Sequence, residues 1–114
     1  MIKPRTICQA DARFFLERIE SRSATLIYLD PPWFTREQSF IVSEDERGNQ
    51  NIALPELREY LSFISEVLQQ CRRILDHQGS LVTLTNVWRK RDFQLLLDQT
   101  FGRWNFRDEF TWSQ

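Results

Sequence analysis

The stretch Ala24-Thr25-Leu26-Ile27-Tyr28-Leu29-Asp30-Pro31-Pro32-Trp33 decides the fold. Its first six residues are apolar at nearly every position, which predicts a strand of a parallel sheet covered on both faces. The run stops at Asp30 because Pro31 and Pro32 have no N–H to give a ladder and hold the backbone in a turn. The turn lies at the carboxyl end of the strand, where open α/β sheets hold their ligands.

On the amino-terminal side, Thr6-Ile7-Cys8 is a short strand candidate. Asp11 follows as the cap of a helix running to about Glu20, with Phe14, Phe15, Leu16 and Ile19 apolar, and Ser21-Arg22-Ser23 connects it to the deciding strand. On the carboxyl-terminal side, Phe34 to Leu54 has no sustained period and Ser43 to Asn51 is polar, which predicts a long, solvated loop. Pro55 opens a helix to about Asp76 whose Leu57, Leu61, Ile64, Leu68, Cys71 and Leu75 share one face, and Gly79 suits its stop. Ser80 to Thr85 is the next strand, and a helix from about Arg89 to Phe101 buries Phe93, Leu96 and Leu97 before Gly102 ends it. Phe106 to Trp112 alternates apolar and polar residues, which predicts a half-buried antiparallel strand. This alternation of strands and helices implies right-handed crossovers and a three-layer α/β sandwich with a mostly parallel sheet. Asp11 and Asp30 then both lie at carboxyl ends of strands.

Composition narrows the function classes. With 114 residues the chain is expected to be one domain, and 15 Lys+Arg against 16 Asp+Glu, formally -1, exclude nucleic-acid binding by bulk charge and leave only a local patch. Apolar runs fall far short of the ~20 residues of a membrane span, and the first residues lack a signal-peptide core, so a soluble, cytoplasmic chain with no membrane partner is expected. Cys8, Cys71 and His77 cannot assemble a four-ligand zinc site, so no metal is expected and the thiols read as buried or bystander groups. Gly48, Gly79 and Gly102 are isolated, and no glycine cluster of the kind that cradles phosphates occurs.

Asp30-Pro31-Pro32-Trp33 has two readings. One is a strand-ending turn, since Asp-Pro pairs start turns. The other is a binding site. The Asp30 carboxylate and the Pro31 carbonyl are both acceptors, able to hold the two hydrogens of an amino group while the flat Trp33 ring stacks on the ring that carries it. An exocyclic amine of a nucleobase is a weak nucleophile because its lone pair is delocalised. Two acceptors aimed at its hydrogens localise that pair and stabilise the positive charge that develops when it attacks a methyl group. A base reaches such a pocket only by leaving the duplex.

These residues resemble the catalytic Asp-Pro-Pro-aromatic motif of the amino-group DNA methyltransferases, which methylate adenine N6 or cytosine N4. The resemblance extends along the chain in order. Ala10-Asp11-Ala12-Arg13-Phe14-Phe15-Leu16 is similar to the family's Gly-Asp-x-x-x-x-Leu segment, with Asp11 nineteen positions before Asp30. Leu75 to Leu81 is similar to its Leu-x-x-x-Gly strand entry. Phe101 to Trp112 is similar to a stretch of the subgroup that includes many restriction-modification methylases. Departures are Ala10 for the usual glycine, Trp33 for Phe or Tyr, and Asn86 where many relatives carry an acid.

The resemblance implies a partial Rossmann-like fold spanning 1–114 as the amino-terminal portion of a methylase domain, with the glycine-rich cofactor loop and target-recognition segment lying later in such chains. It implies S-adenosylmethionine as cofactor and DNA as partner. Asp30, Pro31, Pro32 and Trp33 are then catalytic, Trp33 and Phe34 shape the base pocket, and Asp11, otherwise a helix cap, meets the cofactor. Arg89, Lys90 and Arg91, with Arg72 and Arg73, are either a solvated basic face or a phosphate contact. The expected activity is methylation of adenine N6 by a split or partial enzyme that needs a second half, in cis or from a partner polypeptide; the expected protein partners are such a complementary half or a restriction subunit. The alternatives are a non-catalytic interaction module of the same fold, or methylation of cytosine N4 or RNA.

Overall fold

The computed structural model describes residues 3–32, 41–44, 50–52, 54–86 and 89–112. Its elements are α1 (Ala12–Glu17), β1 (Ala24–Leu29), β2 (Ile41–Glu44), β3 (Gln50–Ile52), α2 (Leu54–Ile74), β4 (Leu75–Thr83), α3 (Lys90–Phe101) and a 3-10 turn over Arg103–Asn105. β1 and β4 pair in parallel, with Leu26, Ile27, Tyr28 and Leu29 opposite Ser80, Leu81, Val82 and Thr83. This is the two-strand, helix-crossed core of a partial α/β fold.

The longest helix forms where the sequence period is strongest. Pro55 sits in its first turn, where the missing N–H costs nothing, and Ile64, Val67, Leu68, Cys71 and Ile74 fall on one buried face. Ile64 and Leu68 pack with Phe93 of α3, and Leu29, Leu81, Leu96, Leu97 and Phe101 close around them. Each fully buried side chain of this size contributes about 1.5–3 kcal/mol. Burial holds the Cys71 thiol up at about 11, so it stays protonated and inert at neutral pH, whereas Cys8 is exposed.

Several expectations are corrected. The core covers one face of the sheet; on the other, Leu26, Tyr28 and Val82 are exposed, so the described residues form two layers rather than three. Thr6–Cys8 is not a strand, and Ile7 is fully exposed, because three extended residues need a neighbouring ladder that the described residues do not supply. Phe106–Trp112 likewise forms no strand, and Phe110 and Trp112 stand in solvent rather than half-buried. Inside the expected loop, β2 and β3 pair antiparallel; Phe34 lies outside the described residues, as do residues 45–49 of the polar stretch.

Two helix ends also differ. Instead of reaching Glu20, α1 stops at Glu17, because Arg73 of α2 takes the late carbonyls: its guanidinium donates to Leu16 O at 2.8 Å, Ile19 O at 2.8 Å and Ser21 Oγ at 2.9 Å. Gly79 does not stop α2, which runs directly from Ile74 into Leu75 of β4. It sits in a bulge where Ala24 and Leu26 of β1 face Leu75 and Ser80. A Cβ there would come within 2.9 Å of Leu75 Cδ2 and 3.0 Å of Ala24 O. Gly102, by contrast, ends α3 as expected, with φ +84 and its N–H on Asp98 O.

Candidate active site

The apolar run of β1 delivers Asp30 to the end of the ladder. The last ladder bond there is Leu84 N–H to Leu29 O at 3.0 Å, so Asp30 is the first residue free of the sheet. Asp30 is exposed and Pro31 is buried. Among the described residues no donor engages the Asp30 carboxylate or the Pro31 carbonyl, and the prolines bring no N–H of their own. Two unengaged acceptors therefore stand side by side at the sheet's carboxyl end. Trp33 and Phe34, assigned to stacking and pocket shape, lie outside the described residues.

The carbonyl next along the chain differs. Pro32 O accepts a 2.6 Å hydrogen bond from Tyr60 Oη, which reaches it from the second turn of α2. The motif alone does not reveal Tyr60. Its signal lies in the helix stripe, where a phenol among Leu57, Leu61 and Ile64 needs a partner for its hydroxyl.

Across the sheet, Asn86 follows the end of β4. Its Oδ1 accepts from Arg89 N at 3.1 Å just before α3, and its Nδ2 is buried with no partner among the described residues. An orphaned donor of this kind is costly and unusual.

Asp11 sits apart from this turn in sequence and has its oxygens committed. Oδ1 accepts from Arg13 N at 2.9 Å, capping α1, and Oδ2 pairs with Arg13 Nη2 at 2.9 Å. These hydrogen bonds from Arg13 hold the Asp11 carboxyl below its ordinary value. Arg13 in turn lies 5.2 Å over the Phe63 ring and 3.8 Å from Glu66, in an open cleft between α1 and α2 lined also by Glu17, Gln69 and Gln70.

The basic candidates divide. Lys90 pairs with Glu109 at 2.5 Å and Arg89 with Asp92 at 3.6 Å, while Arg91 is exposed. Arg72 is exposed, but Arg73 is spent on the α1 carbonyls. In the last segment Gly102 turns the chain, Asn105 Nδ2 donates to Phe101 O at 2.5 Å, and Glu109 returns to Lys90.

Residues 24–114 match the model of the N6/N4-type DNA methylase family. The chain belongs to that family. It is also similar to the Type II methyltransferase M.EcaI of Enterobacter cloacae, 32% identical over 110 residues that cover 93% of this chain and 23% of the relative. The chain thus spans about a quarter of that relative's length. Among its described residues no helix is long and apolar enough to cross a membrane.

Proposed function

We propose that the chain carries the amine-binding turn of a DNA methyltransferase that acts on adenine N6, with S-adenosylmethionine as methyl donor. The observation that carries this reading is the pair of unengaged acceptors, Asp30 carboxylate and Pro31 carbonyl, at the carboxyl end of β1 in a chain of the N6/N4 methylase family.

The Asp30 carboxylate takes one amine hydrogen and the Pro31 carbonyl the other. Held this way, the nitrogen keeps its lone pair out of the ring, and the adjacent carboxylate offsets the charge that grows on it. Asp30 is also the group positioned to accept the proton the amine sheds. Trp33 supplies the stacking surface that offsets the few kcal/mol lost when the base leaves the duplex. The Asp-Pro-Pro form of the turn, rather than Ser-Pro-Pro, favours adenine over cytosine by resemblance.

S-adenosylmethionine supplies an electrophilic methyl group. Among the described residues the chain does not present a cradle for it, since the Asp11 oxygens serve α1 and Arg13 and the sequence has no glycine cluster. We therefore assign the donor site chiefly to polypeptide beyond these residues, either continuous with the chain or supplied by a partner. An interaction module of the same fold is the second reading, supported by the exposed sheet face of Leu26, Tyr28 and Val82.

The test is nucleoside mass spectrometry of DNA incubated with methyl-labelled S-adenosylmethionine and the full chain, alone and with a complementary polypeptide. N6-methyladenine supports the reading. N4-methylcytosine overturns the choice of base, and no labelled base under either condition overturns the activity in favour of the interaction module.

A further inference from the structure

We propose that Tyr60 is a positioning residue that decides which carbonyl of the Asp30-Pro31-Pro32 turn receives the substrate amine. The inference rests on the methyltransferase reading above and names a residue outside the turn.

Three acceptors follow one another at the end of β1: the Asp30 carboxylate, the Pro31 carbonyl and the Pro32 carbonyl. Prolines at 31 and 32 remove the local N–H groups that would normally occupy or orient such carbonyls, so the turn has little internal hydrogen bonding to sort them. Left alone, two neighbouring carbonyls compete for one amine hydrogen, and each would hold the nitrogen in a different place. Tyr60 resolves the competition. Its hydroxyl donates to Pro32 O at 2.6 Å, while the described residues offer no donor to Pro31 O.

The ring that carries this hydroxyl is packed. Tyr60 packs against the Ile64, Leu68 and Phe93 core from α2, and that core also includes Leu29, the last residue of β1. The phenol therefore ties the far side of the turn to the cluster that fixes its near side. With the Pro32 carbonyl engaged, Asp30 and Pro31 remain as the pair facing the amine.

Tyr60→Phe in the full chain removes the hydroxyl and keeps the packing ring. With carbonyl-13C proline, the Pro32 signal, assigned through Pro32→Ala, reports the hydrogen bond independently of activity. The expected result is an upfield move of that signal, a kcat for methyl transfer lower by roughly ten- to a hundredfold, and KM values for DNA and S-adenosylmethionine within about twofold. A merely structural role would alter the melting temperature without this split. An unmoved Pro32 signal overturns the contact. A moved signal with unchanged kcat, or a loss that falls on KM, overturns the positioning role alone. A wild-type chain that transfers no methyl group with its complement present overturns the methyltransferase reading and the role that rests on it.

Discussion

At Asp30 the backbone passes from a ladder into a turn whose two prolines bring no N–H, and the physical consequence is a set of carbonyl and carboxylate oxygens with few partners among the described residues. Asp11 shows the opposite arrangement, a carboxylate satisfied by its own helix. Its folded-state pKa is lowered, first by the Arg13 side chain and then by the Arg13 N–H. A depressed carboxyl stabilises the fold above its unfolded value, and the contribution is lost as pH falls through the folded value. Asp11→Asn keeps the capping oxygen and removes the charge. Its melting temperature is expected to lie below wild type at neutral pH, with the gap closing as pH drops below about 3.8, as followed by circular dichroism. A gap that persists in acid would contradict the assignment.

At the scale of elements, the joints carry more information than the spans. Gly79→Ala places a methyl group against Leu75 Cδ2 and the Ala24 carbonyl, so a loss of about 1–3 kcal/mol is expected in urea unfolding. Arg73→Met removes the guanidinium from the Leu16 and Ile19 carbonyls, with an expected loss of about 2 kcal/mol and faster amide exchange at Arg22, whose N–H bonds Arg73 O. Reduced DNA affinity without lost stability would instead make Arg73 a phosphate contact. β1, α2 and α3 were legible in the sequence because each carries its own period: the unbroken run to Leu29, the Ile64-Leu68-Cys71 stripe, and Phe93 with Leu96 and Leu97. Gly79 reads as a helix stop in the sequence because the bulge that crowds it, between Leu75 and Asp76 on its own strand and Ala24 of β1, forms only when the two distant strands pair. Arg73 looked like a surface cation because its acceptors lie more than fifty residues away. Asp30 and Pro31 were legible as chemistry, since adjacency in sequence suffices to place them. Tyr60 was not, because its partner depends on how α2 crosses the sheet.

For the molecule as a whole, the uncovered sheet face matters most. Leu26 and Tyr28 are 63% and 66% exposed, a costly arrangement for neighbouring apolar strand residues. Leu26→Thr with Tyr28→Thr should leave the unfolding free energy within about 0.5 kcal/mol while reducing self-association in sedimentation velocity. Unchanged association would show that this face does not drive contact. The methylase that this chain resembles is about four times as long. The central claim concerns the turn that the chain does contain. Asp30 is exposed and without a described partner, so Asp30→Asn should fold as wild type does. The most direct measurement is the rate of labelled methyl transfer to DNA by wild type and Asp30→Asn, each in the full chain with its complement and with matched melting temperatures. We predict a loss of about a hundredfold or more in the variant; equal rates would contradict the assignment of Asp30 as the acceptor for the substrate amine.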